Sequence, residues 1–342
     1  MSSALPVSDL DHILAATRPD WEEVRDSRIF LTGGSGFFGR WLVESFLHAN
    51  EQLDLHAKLV VLTRRPEAVQ AEAPHLRNRP GLKWIEGDTR NFEFPTGVFS
   101  HVIHGATVAA TQIDPLENLE VIVEGTKRAL DFAVNCGARK FLLTSSGAVY
   151  GRQPSELTHV PEDFTGAPAL APASAYGEGK RTAELFSILY QQRHGLEVKI
   201  ARGFAFVGPL LPLDQHFAIG NFIRDALAGT PIRIRGDGTP FRSYLYAADL
   251  AIWLWKILFH GAPGKAWNVG SGDDLSIAAL ANTVAEVLRP GLPVVVEGTP
   301  SGSPVARYVP DISAATRELG LAPLVDLPEA IRRTAAYHLA NS

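Results

Sequence analysis

Short apolar runs rich in β-branched residues alternate with amphipathic stretches over the first two-thirds of this chain. Strands are predicted at Arg28–Leu31, Lys58–Leu62, Lys83–Glu86, His101–His104, Lys140–Thr144 and Val198–Ala201, with helical periodicity between most of them, most clearly over 117–136 and Tyr176–His194. Strands spaced by helices imply parallel βαβ units, hence an α/β protein with a doubly wound parallel sheet. Residues 1–26 read as a helical extension (9–16, then 21–24) whose role the pattern does not reveal. After Arg202 the texture changes: Pro209, Pro212, Pro231 and Pro240, with Gly208, Gly229, Gly236 and Gly238, break the chain into short elements. The expected organisation is therefore a dinucleotide-type domain over 27–203 and a smaller C-terminal lobe, mainly substrate-binding, over 204–342. Part of that lobe, 243–270, is expected to return to the first domain.

Composition narrows the class. Of 342 residues 46% are hydrophobic and 20% charged, an ordinary globular balance. A formal net charge of -5 offers no electrostatic footing for nucleic acid or an anionic membrane. Cys136 is the single cysteine, which excludes an internal disulfide and suits a reducing compartment. The most apolar late stretch, 244–259, carries Asp249 and Lys256 and so reads as a buried helix rather than a membrane span. With no secretory pattern at the start, a soluble, cytoplasmic protein is expected. No residue cluster suggests a metal site.

The chemistry begins at Thr32-Gly33-Gly34-Ser35-Gly36-Phe37-Phe38-Gly39, between the first strand and the helix-like run Trp41–Leu47. Glycines at this spacing let the backbone turn tightly and approach a phosphate, and the helix N-terminus offers free N–H groups to a pyrophosphate. On spacing alone the run is equally a tight turn; the strand before it and the helix after it favour a dinucleotide site. Tyr176 and Lys180 lie four apart at a helix start, so they share a face, and the ammonium is expected to lower the tyrosine pKa. Such a pair is also common on solvated helices. Ser146, past the end of a strand, could bond a reacting oxygen or simply cap the next turn.

Taken together these residues resemble the extended short-chain dehydrogenase/reductase family, nucleotide-sugar epimerase/dehydratase branch. The motifs follow in family order: TGGSGFFG at 32–39, Gly87-Asp88, His104-Gly105-Ala106, Gly125-Thr126, Ser145-Ser146, YGEGK at 176–180, Val207-Gly208-Pro209, Arg242-Ser243-Tyr244, Asn268-Val269-Gly270 and Arg307. The resemblance implies a Rossmann core, a catalytic Ser146, Tyr176 and Lys180, and a cofactor held by Gly33, Ser35, Gly36, Phe37, Phe38, Gly39, Thr63, Arg64, Arg65, Asp88, Ala106, Tyr176 and Lys180. It further implies a nucleotide-diphosphate sugar held by Thr107, Ser146, Gly147, His216, Asn221, Arg242 and Arg307, and a homodimer through the two long helices.

Departures from the family pattern sharpen the expectation. Thr63-Arg64-Arg65 replaces the aspartate usual in NAD-preferring members, and arginines attract a 2′-phosphate, so NADP(H) is expected over NAD(H). Gly147-Ala148 stands where dehydratases carry an acid/base Asp-Glu pair and decarboxylases keep the glutamate; neither residue titrates. Ala205 and Ile122 replace asparagines common in the family. The leading expectation is 4-epimerisation of a nucleotide-linked hexose or its uronic acid. An NADPH-dependent 4-keto-sugar reductase follows, then a 4,6-dehydratase; the non-enzymatic alternative is an NADP-sensing binding module, against which intact Ser146, Tyr176 and Lys180 argue.

Overall fold

The computed structural model describes residues 4–107, 113–215, 217–299 and 304–341. The six predicted runs form β1 (Arg28–Thr32), β2 (Lys58–Thr63), β3 (Leu82–Glu86), β4 (His101–His104), β5 (Lys140–Ser146) and β6 (Glu197–Gly203). A seventh strand, Ala266–Val269, which the apolar pattern did not single out, completes a sheet ordered Ala266–Val269, β6, β5, β4, β1, β2, β3. β1 pairs in parallel with both β2 and β4. The chain winds outward from β1 to β3, then returns to β4 on the other side of β1. The switch therefore lies between Thr32 and His104, which are in register at the carboxyl ends of β1 and β4. Open α/β sheets bind their ligands at such a point.

Helices α1 (Val7–Thr17), α2 (Phe37–Gln52), α3 (Pro66–Glu72), α4 (Pro115–Asn135), α5 (Ala175–His194), α6 (Ala218–Ala228) and α7 (Ala247–His260) account for most of the remaining pattern up to residue 260. Alternation along β1 sends Phe30 to one face of the sheet and Leu31 to the other. On the first face Phe30 meets Phe132 of α4, ring centroids 4.5 Å apart, in a core that includes Phe92, Phe99, Phe141, Val198 and Ala183 of α5. On the second, Leu31 and Val61 gather with Val43 of α2 around Gly34. Ile122, in place of the family's asparagine, is 1% exposed and belongs to the first core, so its side chain serves packing.

The N-terminal extension is part of this second face. Trp21 is fully buried between Trp255 and Phe259 of α7 and Phe46 of α2, with ring centroids 4.7, 5.6 and 6.3 Å away. Its indole N–H donates to Thr17 Oγ1 at 2.9 Å. Glu23 takes the Lys140 ammonium at 2.7 Å and lies 3.1 Å from the His101 ring, pinning the segment to the starts of β4 and β5. These contacts hold its carboxyl down at about 2 despite burial. The periodicity of residues 1–26 could not show this, because Phe46, His101, Lys140, Trp255 and Phe259 are distant in sequence.

Contacts divide the chain into two units: 1–151, 167–203 and 251–267 form the first; 152–166, 204–250 and 268–342 form the second. Residues 152–166, expected with the first domain, group with the second instead. Val160 N–H donates to Val309 O at 2.9 Å, Asn268 Nδ2 donates to Val160 O at 2.8 Å, and Gln153 Oε1 accepts from Val309 N–H at 3.0 Å. In the second unit Phe241–Arg242 lies between the short strands Leu275–Ser276 and Arg307–Tyr308. Asp249, at the start of α7, accepts the backbone N–H groups of Leu324 and Val325 at 2.9 and 3.1 Å. No helix among the described residues is long and apolar enough to cross a membrane. No group of three His, Cys, Asp or Glu among them could hold a metal ion.

Candidate active site

The glycine loop sits at the switch point. A Cβ on Gly33 (φ +79°) would lie 2.6 Å from the backbone of Gly105 and Ala106, so the turn rests directly on the end of β4. A Cβ on Gly39 would lie 2.1 Å from Gly33 O, so the first turn of α2 closes onto the same loop. Gly36 caps α2 with extended backbone, and no side chain accepts from the helix's first N–H groups. A Cβ there would meet nothing nearer than Gly33 O at 3.6 Å. Donors without side-chain acceptors beside open space fit a pyrophosphate. Ser35 is exposed and Phe37 and Phe38 are half-buried at the mouth of the loop.

The neighbouring strand ends supply the remaining cofactor candidates. Thr63 is buried at the end of β2 while Arg64 and Arg65 stand exposed just beyond it. Asp88, expected to meet an adenine, is held by Arg90: its Oδ1 accepts from Arg90 Nε at 2.9 Å and its Oδ2 from Arg90 Nη2 at 3.0 Å. That fork lowers the carboxyl pKa, with Arg64 contributing at longer range. An adenine amine would therefore share an acceptor already in use. Ala106 donates its N–H to Thr32 Oγ1 at 3.2 Å, and Thr32 Oγ1 lies 2.8 Å from His104 Nδ1. His104 is fully enclosed, so desolvation, aided by the Lys180 charge, drops its pKa to about 3 and keeps the ring neutral. Thr107, beyond Ala106, is exposed.

Ser146, Tyr176 and Lys180 come together at the carboxyl edge of β5. The polar run Thr144-Ser145-Ser146 continues the strand past its predicted end because each hydroxyl finds a partner. Thr144 Oγ1 donates to His104 O at 3.2 Å, Ser145 Oγ to Glu184 at 2.5 Å, and Ser146 Oγ accepts the Ala148 N–H at 3.1 Å. Ser146 also hydrogen-bonds Tyr176, so it caps the following turn and faces the tyrosine at once. Lys180 is buried, with its ammonium 2.8 Å from Thr144 O and 5.8 Å from the centre of the Tyr176 ring. Desolvation brings Lys180 down to about 8, with Glu184 opposing.

One expectation is corrected here. Tyr176 is not lowered in this structure: burial raises its pKa, and the Ser146 hydrogen bond only partly offsets that. The Lys180 ammonium is directed at a backbone carbonyl rather than at the phenol. Gly147 and Ala148 open a short 3-10 turn ending at Tyr150, and they place no titratable side chain beside Ser146.

Within the second unit, the substrate candidates are tied to their own neighbours. Asn221, on α6, donates to Gln215 O at 2.8 Å and accepts from Arg224 at 2.9 Å. The parallel register pairs Arg307 with Phe241 and Tyr308 with Arg242. Arg307 accordingly lies over the Phe241 ring at 4.1 Å and Arg242 over the Tyr308 ring at 5.8 Å, so the two leave opposite faces of the small sheet. Arg307 also pairs with Asp274 at 2.5 Å, and Arg242 donates to its neighbour's carbonyl, Phe241 O, at 2.7 Å. His216 lies outside the described residues.

Sequence reasoning did not find Arg90, Asp274, Glu184 or Tyr150 as partners of these groups. Glu184 alone left a signal, four residues after Lys180 and eight after Tyr176 on one helix face.

The model of the NAD dependent epimerase/dehydratase family matches residues 29–270. UDP-glucuronic acid decarboxylase 3 of Arabidopsis thaliana is 32% identical over 308 residues, covering 89% of this chain and 86% of that protein. The UDP-glucose 4-epimerase of Thermotoga maritima, solved with UDP-glucose, superposes with a TM-score of 0.77 at 22% identity, covering 92% of this chain and 99% of its own. A dTDP-glucose 4,6-dehydratase from Streptomyces venezuelae, solved with NAD bound, gives 0.76 at 24% identity and covers 92% and 97%.

Proposed function

This chain belongs to the NAD dependent epimerase/dehydratase family, and from that membership we propose that it is a nucleotide-sugar 4-epimerase working through Ser146, Tyr176 and Lys180. The observation that carries the reading is the pairing of a Ser146–Tyr176 hydrogen bond with the titration-silent Gly147-Ala148 beside it. The first equips the site for proton transfer at the sugar C4 oxygen. The second leaves it without the acid and base that loss of water across C5–C6 requires.

The residues at the switch point fit a nicotinamide dinucleotide: Gly33, Gly36 and Gly39 with the α2 N-terminus for the pyrophosphate, and Lys180 for a ribose hydroxyl. When bound, that group supplies the hydride acceptor and donor for C4. Tyr176 takes the proton from the C4 hydroxyl as the carbonyl forms and returns it as the carbonyl is reduced on its other face. Ser146, bonded to the phenol, orients it and steadies the oxygen between the two steps. Lys180, with its ammonium on Thr144 O, is kept for the ribose and does not lower the tyrosine pKa in this structure. In the second unit Arg307 is the proposed partner of the diphosphate; Arg242 leaves the opposite face of the small sheet, so the expectation that both arginines grip one diphosphate is not carried forward. A homodimer through α4 and α5 accords with Leu116, Leu185 and Leu189, which stand 64%, 59% and 48% exposed there.

Exposed Arg64 and Arg65 at the end of β2 support NADP(H) as the preferred cofactor. Replacing both with Asp and Ser is expected to weaken NADPH at least ~10-fold while leaving NADH little changed; equal losses for the two would end that preference. A second reading, oxidative decarboxylation of UDP-glucuronic acid, is favoured by the 32% identity to a decarboxylase of that substrate. Nicotinamide accounting on a panel of nucleotide sugars tests the main reading. Isomerisation with no net change in NADPH supports it, stoichiometric NADPH loss on a 4-keto sugar indicates the reductase, and a 4-keto-6-deoxy product overturns it.

A further inference from the structure

Beneath the proposed catalytic residues runs a buried polar network. Glu184 lies one helical turn beyond Lys180 on α5 and is 9% exposed. Its Oε1 accepts from Ser145 Oγ at 2.5 Å and from Arg202 Nε at 3.0 Å, and its Oε2 accepts from Arg202 Nη2 at 2.7 Å. Arg202, on β6, also donates to the Tyr150 hydroxyl at 2.8 Å and lies over the Tyr150 ring at 4.8 Å. The network thus joins four pieces: α5, which carries Tyr176 and Lys180; the end of β5, which carries Ser146; the Gly147–Tyr150 turn; and the end of β6.

A buried carboxylate, a half-buried guanidinium and two hydroxyls are costly to assemble, and an apolar quartet of the same shape would hold the fold as well. Glu184 differs from such a quartet in that its charge also acts on Lys180. The charged and titratable groups around that ammonium are Glu184 and Tyr176 on α5 and neutral His104 on β4, with Arg202 on β6 beyond Glu184. Glu184 is the carboxylate among them.

We propose that Glu184 is a positioning residue for the reaction: clamped by Arg202 and bonded to Ser145, it fixes the strand end that presents Ser146 to Tyr176 and sets a carboxylate one helical turn from Lys180. Ser145 and Tyr150 are the other anchors of this device. The proposal rests on the role given above to Ser146, Tyr176 and Lys180.

The test reads Lys180 without substrate, so that its outcome is separate from whether the enzyme epimerises anything. In the full-length protein the 13Cε resonance of Lys180, assigned by its loss in Lys180→Arg, is followed with pH. The expected wild-type midpoint is near 8. Glu184→Gln, which keeps shape and hydrogen bonding but removes the charge, is expected to lower it by about one pH unit or more. Glu184→Asp restores it, and Ser145→Ala, which removes a hydrogen bond and no charge, leaves it in place. An unmoved midpoint in a folded Glu184→Gln protein overturns the proposal. If that variant does not fold, the wild type decides: a midpoint below about 6, the range of buried lysines lacking a counter-charge, overturns it equally. Absence of turnover on any nucleotide sugar, with the Lys180 shifts as stated, removes the catalytic reading and leaves the electrostatic link standing.

Discussion

The two units treat their candidate site residues differently. In the first, Ser146 bonds Tyr176, Lys180 reaches Thr144 O and the glycine loop rests on backbone, although Asp88 is held by Arg90. In the second, residues proposed to meet a substrate already have partners, Arg307 in Asp274 and Asn221 in Gln215 and Arg224. The contrast teaches that the proposed catalytic residues of the first unit are pre-organised, whereas residues of the second unit proposed to recognise a substrate would exchange internal partners for it. Pre-organisation lowers the reorganisation needed in the reaction itself. An exchangeable ion pair instead sets affinity through what it gives up.

The comparison can be broken first at Tyr176. Tyr176→Phe is expected to lower turnover by ~10²–10⁴, the span of general acid–base catalysis, while dinucleotide affinity measured by calorimetry stays near wild type. Unchanged turnover would remove the first unit's catalytic role. Arg307→Ala is expected to weaken UDP binding by roughly 10–100-fold, the worth of a charge-assisted hydrogen bond, with little change in the pre-organised residues of the first unit. Asp274→Asn has a smaller effect of opposite sign: releasing Arg307 tightens UDP by less than about 10-fold. A weaker UDP complex in Asp274→Asn would show that the pair builds the site rather than competing with it.

A separate effect, on stability rather than on turnover or binding, concerns the enclosed ring of His104. Folded, it stays neutral to about pH 3, whereas in the unfolded chain it protonates near its ordinary 6.5. Between those values the unfolded state binds the extra proton, so stability falls as pH drops through that window. His104→Asn should flatten this acid side of the thermal-stability profile relative to wild type. Parallel profiles for the two proteins would mean that the ring is not held neutral.

Much of this could be read from the chain itself, and the limits follow from distance. Strands β1 to β6 and the loop at 33–39 are written in local apolar runs and glycine spacing, which a short window contains. Tyr176 and Lys180 are one helical turn apart and so equally visible. The seventh strand, though bracketed by Pro263-Gly264 and Gly270, is only four residues, and it owes its place to pairing with β6. The allegiance of 152–166 depends on Val309 and Asn268, more than a hundred residues away. Arg307 and Asp274 are 33 apart and Glu184 and Arg202 18 apart, so neither pair follows helix or strand periodicity. The Tyr176 pKa went the other way because burial, which helix spacing does not report, raises it, and the Lys180 ammonium is turned to Thr144 O on β5.

The central claim, that C4 is oxidised and reduced with nothing else lost from the sugar, is tested most directly with UDP-glucuronic acid carrying 13C in its carboxylate. Incubated with the protein and a catalytic amount of NADP, it is predicted to give the C4 epimer, seen by NMR with the label retained and no net NADPH. Release of labelled CO2 with formation of a UDP-pentose would contradict the account and make Gly147-Ala148 compatible with decarboxylation.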